Sequence, residues 1–191
     1  MKNLLDHIKD YLIHEFESDS YRLKHIFSVA EMAVKLANHY YIDVYKVEIA
    51  ALLHDATKND SIETIWSMAQ EEFSLEELEK IPKGCLHAYS AVVLAKNNFN
   101  IQDKEILDAI KYHCHGRMGM SKVEQVIYLS DYLEETRDFV TDDFRQLAFR
   151  NLDQATAKVV RDTIDYLQKK KAYISEETYK MYDYYNIGGN E

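Results

Sequence analysis

Apolar positions recur along most of this chain at the three- and four-residue steps that line one face of an α-helix. In residues 3–16 the stripe is Leu4, Leu5, Ile8, Leu12 and Ile13. In "SDSYRLKHIFSVAEMAVKLANHY" it includes Ile26, Val29, Ala33 and Leu36, with Ser18, Asp19 or Ser20 placed to cap the helix. A short break near Ile42–Asp43 leads into "VYKVEIAALLHDATK". Then come "SIETIWSMAQEE" and the acidic "SLEELEKIPKG", which breaks at Pro82-Lys83-Gly84. Residues 85–97 and 103–112 are read as helices, and the glycine-bearing "HCHGRMGMS" as a loop with Ser121 capping the next helix. After "KVEQVIYLSDYLEETR" the pattern predicts one long helix over roughly 143–170 and a last one in the tail "SEETYKMYDYY". No stretch of useful length alternates with the strand period, and no segment repeats. The expectation is an all-α chain forming a single domain over residues 1–191.

Composition adds three constraints. One proline and five glycines leave few obligatory breaks, which suits long helices. Cys85 and Cys114 lack the close spacing of a zinc knuckle or redox pair, so the thiols are expected to be reduced and the protein cytoplasmic. The formal charge of −10 argues against a nucleic-acid backbone as partner, since that surface needs a basic stripe. It leaves room for a small phosphorylated ligand, because a metal ion and a few arginines can reverse the field inside a pocket. No apolar run approaches the roughly 20 residues of a membrane span, and "MKNLLDHIKDYL" carries acids that a signal peptide avoids.

The chemistry lies where polar residues interrupt the apolar stripes. His54 and Asp55 sit side by side at the end of the greasy "AALLHDATK". Desolvating that pair costs several kcal/mol unless a partner serves both, and a divalent metal is the economical partner. The plainer alternative is an exposed Asp55 beside a buried neutral His54. Asp131 interrupts Val126, Ile127, Leu129 and Leu133, so it is either on an outer face or held inward by a cation. His25, taken alone, is better explained as a core or surface histidine. Together, His25, His54, Asp55 and Asp131 offer imidazole and carboxylate ligands from three helices, a set suited to Fe, Mn, Co or Zn in a helical bundle. His87, His113 and His115 extend the set. The tyrosine excess is read mainly as packing, with Tyr21, Tyr112, Tyr132 and Tyr179 nearest the interesting segments.

The order His25, His54-Asp55, Asp131 resembles the HD-domain superfamily of metal-dependent phosphohydrolases. The blocks "YRLKHIFSVAEMAVKLA", "AALLHDATK", "HAYSAVVLA", "AIKYHCHGRMGMS" and "VIYLSDYLEETR" resemble, in order, the bacterial YqeK family of symmetrical diadenosine tetraphosphate hydrolases. The resemblance runs over about residues 21–137, and the helices of 143–187 come after it. It implies a single-domain HD-type helical bundle that cleaves diadenosine tetraphosphate to two ADP. It implies metal ligands at His25, His54, Asp55 and Asp131, with iron the associated metal. It implies catalytic roles for Asp55, Lys58, His87 and His113. It also implies substrate contacts from Arg22, His87, His113, Gly116, Arg117 and Arg137. His87 and His113 remain open as acid–base groups, phosphate donors or ligands of a second metal. Two features depart from the family: Cys114-His115 stands where small hydroxyl residues are usual, and the tyrosine-rich tail matches loosely. His115 is open as a proton donor or a further ligand, but is expected to face water. Another nucleotide as substrate, and a sensor that binds metal and nucleotide without turnover, stay as alternatives. A homodimer through an apolar helix face would be ordinary for such a chain.

Overall fold

The computed structural model describes residues 3–187. Among them are eleven α-helices and one short 3-10 turn, with no strand. The first six helices are α1 (Leu4–Glu15), α2 (Ser20–His39), α3 (Val44–Leu53), α4 (Ile62–Ala69), α5 (Leu75–Leu78) and, after the 3-10 turn Lys83–Cys85, α6 (Leu86–Phe99). They are succeeded by α7 (Lys104–Tyr112), α8 (Lys122–Leu133), α9 (Asp142–Arg150), α10 (Leu152–Lys169) and α11 (Glu176–Ile187).

Most helices begin where a short polar side chain takes over the backbone donors of the first turn. Asp19 is the residue that caps α2, accepting from Arg22 N, and Asp43 caps α3. Ser121 and Glu124 form a reciprocal capping box at the start of α8. α6 ends on Asn100, whose left-handed φ of 52° turns the chain out of the helix.

Helix α3 carries no polar stripe: Val47, Ile49, Ala50, Ala51, Leu52 and Leu53 are all buried. Such a helix must lie inside the bundle. It packs on α1, α2, α7 and α8. α2 and α8 also pack on each other, and α10 closes the bundle against α8, α9 and α11. A second, smaller cluster forms under α4 and α5. It joins Ile65, Ala69, Leu78, Leu86, Ala88 and Tyr89, with Trp66, Phe73 and Ile81 against it.

The long helix expected over 143–170 is two helices. Asn151, with φ −158° and ψ 109°, ends α9 and starts α10, and its side chain accepts from Gln154 N. Asparagine competes well for backbone donors and favours this extended capping geometry over a place inside a helix. The periodic stripe runs through it because both helices face the same core. The acidic stretch "SLEELEKIPKG" contributes only the four-residue α5 and the start of the 3-10 turn.

Replacing Asn151 by Ala should lower stability by about 1 kcal/mol, whereas Asn151→Asp, which keeps the capping oxygen, should lower it by much less. Chemical denaturation of the two variants checks this.

Candidate metal centre

α3 stops at Leu53, and residues 54–60 continue as successive turns with Ala56 N bonded to Leu53 O and Lys58 N to Asp55 O. His54 and Asp55 therefore leave the helix axis at its buried end. His25 comes from the second turn of α2, Asp131 from near the end of α8, His87 from the first turn of α6 and His113 from just past α7. The fold brings all six to one place.

Asp55 stands at the middle, with only 5% of its side chain exposed. Its Oδ2 receives Arg22 Nη1 at 2.5 Å and lies 3.7 Å from His25 Nε2 and 3.8 Å from His54 Nε2. Its Oδ1 lies 3.0 Å from His87 Nε2, 3.6 Å from His113 Nε2 and 3.9 Å from Lys58 Nζ. Asp131 Oδ1 is 3.1 Å from His25 Nε2 and 3.2 Å from Arg137 Nη2. Burial pushes the Asp55 carboxyl up, but His54, His113 and His87 hold it well below the usual carboxylate range. Asp131 is lowered too, with burial opposed by the His25 imidazole beside it and by His54.

The imidazoles are oriented from behind. His54 Nδ1 donates to Ala51 O at 2.6 Å, and His113 Nδ1 to Ile110 O at 2.7 Å. A carbonyl only accepts, so each of these Nδ1 atoms carries the proton. His25 Nδ1 lies 3.2 Å from Glu134 Oε1. Burial raises the Glu134 carboxyl, but hydrogen bonds from Thr136, Ser28 and His25 outweigh it and keep the group ionised. With Nδ1 occupied, Nε2 of all three rings faces Asp55 and Asp131.

That arrangement leaves an unfilled requirement. His54 Nε2 is a buried polar atom without a hydrogen-bond partner, and the buried His25 Nε2, although 3.1 Å from Asp131 Oδ1, is not aligned for a hydrogen bond. Leaving such atoms unsatisfied is costly, and native proteins rarely do it. His25, His54 and Asp55 present one ligand atom each within 4.8 Å of one another, and so do His54, His113 and Asp131. The residues fit a divalent cation held by nitrogen and oxygen. Burial draws the pKa of His54 down to about 4, so this ring is a neutral ligand near neutral pH. His113 is lowered by burial but raised more by Asp55, Cys114 and Asp131, to about 9. Without a cation, a proton on His113 offsets part of the carboxylate charge.

The remaining expected residues separate into two groups. Arg22, Lys58 and Arg137 border the cluster. Arg22 Nε is buried without a partner, and Lys58 Nζ sits 3.1 Å from His87 Nε2. Arg137 also approaches Glu134 Oε1 at 3.5 Å. Arg117 and Gly116 are otherwise engaged. Arg117 pairs with Glu124 at 2.7 Å and Asp108 at 3.0 Å and lies over the Tyr112 ring at 4.1 Å. Gly116 has a φ of 63°, and a Cβ there would collide with the end of Met181. Both positions thus have structural reasons for their residue type.

His115, expected to face water, is only partly exposed. Its ring stacks on Tyr89 at 6.2 Å and 12°, and burial lowers its pKa to about 4. Of the four tyrosines nearest the motifs, Tyr112 carries Arg117, Tyr132 packs on Phe139 and Phe144, and Tyr21 and Tyr179 are exposed.

Three supporting residues were not anticipated. Glu134 is fully buried behind His25. Thr57 Oγ1 donates to His87 O at 2.9 Å. Arg145 gives hydrogen bonds to the carbonyls of Leu133, Glu134, Arg137 and Val140, fixing the segment that carries Glu134 and Arg137. Glu134 comes three positions after Asp131, one helical turn on, which is the one signal the sequence held for it.

The chain is similar to known proteins over most of its length. The family described as HD domain matches residues 22–136. The symmetrical bis(5'-nucleosyl)-tetraphosphatase of Bacillus subtilis is 35% identical, over 86% of this chain and 89% of its own length. The protein of the same name in Staphylococcus aureus is 33% identical, over 86% of this chain and 87% of its own. A crystal structure described as a predicted HD superfamily hydrolase involved in NAD metabolism, from Clostridium acetobutylicum, superposes with a TM-score of 0.87. It has 32% sequence identity and covers 96% of this chain and 97% of that one.

Removing the negative charge behind His25 should weaken cation binding. In Glu134→Gln the affinity for Mn²⁺ or Co²⁺, titrated into chelator-stripped protein, should fall about 10- to 100-fold. Circular dichroism of the metal-free variant should match that of the unaltered protein.

Proposed function

The chain belongs to the HD-domain family, and from that premise we propose that it is a metal-dependent hydrolase that cleaves diadenosine tetraphosphate symmetrically to two ADP. The observation that carries the reading is the pair of orphaned, buried Nε2 atoms of His25 and His54 facing two carboxylates. The relatives' shared activity supplies the substrate. His25, His54, Asp55 and Asp131 are the proposed ligands, and His113 faces the same space. Iron is the proposed metal; manganese, cobalt and zinc suit the same nitrogen and oxygen donors.

A bound divalent cation supplies Lewis-acid polarisation of a phosphoryl oxygen and an acidified water. The chain's own residues supply position and charge. Phosphoryl transfer depends mainly on both, because the charge develops on oxygens that cations must already face. Arg22 and Arg137 flank the cluster on the His25 side, and Lys58 on the His87 side. Arg22 Nε, buried and unpaired, is a donor held ready for a phosphate oxygen. His87 and His113, with Nε2 atoms 3.2 Å apart, can share and pass one proton. We assign them to the leaving ADP, whose terminal phosphate gains negative charge as the central anhydride breaks. Water adds to the phosphorus on one side of that anhydride and ADP leaves from the other, so each product carries two phosphates. Gly116 and Arg117 act here by shaping the loop behind His113.

Protein purified without added metal should contain about one transition-metal ion per chain by elemental analysis, and should convert diadenosine tetraphosphate to ADP as sole product. Asp55→Ala should lose both metal and turnover. Arg22→Ala and Arg137→Ala should retain metal and lose about 10²-fold in kcat/KM. Metal without turnover of this substrate would move the assignment to another phosphate ester, and a chain that takes up no metal would overturn it.

A further inference from the structure

Cys85 and Cys114 are free thiols whose sulfurs stand 2.7 Å apart although 29 positions separate them in the chain. Two unbonded sulfur atoms ordinarily stay well beyond that distance, so the backbone already presents the pair close to bonding range. Cys85 ends the 3-10 turn Lys83–Cys85, two residues before His87. Cys114 comes directly after His113. Both thiols are half-buried, and Pro82, Lys83 and Gly84 beside them are exposed. Cys114 Sγ also faces Gly84 O at 3.9 Å. Cys114 Sγ lies within 4.8 Å of ligand atoms of His87 and His113, but the hydrolytic roles proposed above use neither sulfur.

We propose that Cys85 and Cys114 form a redox modification site, a dithiol that reacts with low-molecular-weight disulfides to give an intramolecular disulfide. In the first step a thiolate of the pair attacks one sulfur of the small disulfide. A mixed disulfide forms, the small S–S bond breaks, and one small thiolate leaves. In the second step the other cysteine's thiolate attacks the protein sulfur of that mixed disulfide and expels the second small thiolate. The two protons lost by the cysteines end on the two leaving thiolates. Two cysteine thiols are oxidised and one small disulfide is reduced to two thiols. The second step is intramolecular between sulfurs already in contact, so the mixed disulfide does not accumulate. The bond joins the turn before His87 to the segment after His113. It closes a long loop, and the oxidised chain therefore resists unfolding more than the reduced one.

The test treats the native full-length protein with oxidised glutathione and reads intact mass without reductant. The expected product has lost two hydrogens, carries no glutathione, and yields a peptide joining Cys85 to Cys114. Dithiothreitol restores the starting mass, and the thermal unfolding midpoint of the oxidised form lies above that of the reduced form. Cys85→Ser and Cys114→Ser, each with one thiol left, should instead hold glutathione as a stable adduct. Thiols that stay free, an accumulated glutathione adduct in the unaltered protein, or a bond that forms only in denaturant would each overturn the proposal. So would an oxidised form that unfolds at or below the midpoint of the reduced one. The mass does not depend on metal or on hydrolysis, and the two midpoints are compared on protein of equal metal content, so the outcome is independent of the proposed reaction.

Discussion

The structure depends on keeping one carboxylate charged where water hardly reaches. Asp55 is 5% exposed, at the buried end of a helix with no polar face. Desolvation alone would neutralise it or expel it. It is retained because four side chains around it offer positive charge or a hydrogen-bond donor. Arg22 comes from α2, Lys58 from the turns after α3, His87 from α6 and His113 from the end of α7. Each helix is placed by its own apolar face, and the polar residues meet because those faces meet. A cation at the orphaned nitrogens answers the same electrostatic need, since the two carboxylates and the two bare Nε2 atoms ask for one centre of positive charge.

The overall charge of −10 gives no hint of this. Exposed acids more than about 10 Å away are largely screened in salt, whereas partly buried charges beside the ligand are not. Arg22, Lys58 and Arg137 keep 22%, 30% and 30% of their side chains exposed, enough to reach a phosphate while anchored to Asp55 or Asp131. An acidic protein can thus accept a highly anionic dinucleotide at one basic rim. Whole-chain charge excludes an extended nucleic-acid surface and says little about a pocket.

Legibility in the sequence tracked the kind of interaction involved. Helices with an apolar stripe and a polar cap were readable, because both signals are local; Asp43 and Ser121 start helices where the pattern placed them. The meeting of His25, His54, Asp55 and Asp131 was readable through their spacing and the family resemblance. Residues whose role lies in a distant partner were not. Nothing local marks Arg117 as the partner of Asp108 and Glu124, or His115 as the ring beneath Tyr89. The stop at Asn151 escaped for a related reason: one residue sets it, within a stripe that stays in phase on both sides. Glu134 escaped because an acid after "SDYL" looks like an exposed helix end until Arg145 is seen holding that end closed.

The site is also built on two cores. On the Oδ2 side of Asp55, Arg22, His25, Asp131 and Arg137 belong to α2 and α8 and the segment after it, anchored in the large cluster by Ile26, Val29, Ile127 and Leu133. On the Oδ1 side, His87 sits between Leu86 and Ala88, both members of the small cluster under α4 and α5. Lys58 lies on the turns leading into that subassembly and touches both His87 and Gly84 O. The Thr57 bond to His87 O and the contact between Cys85 and Cys114 are short links that tie the small cluster's end of α6 to the rest. The proposed cation ligands therefore rest mainly on the large core, while the groups assigned to the leaving phosphate rest partly on the small one. Packing changes in the small core should act on the placement of His87 and Lys58 before they disturb the ligand set, because a buried core transmits displacement to whatever it supports.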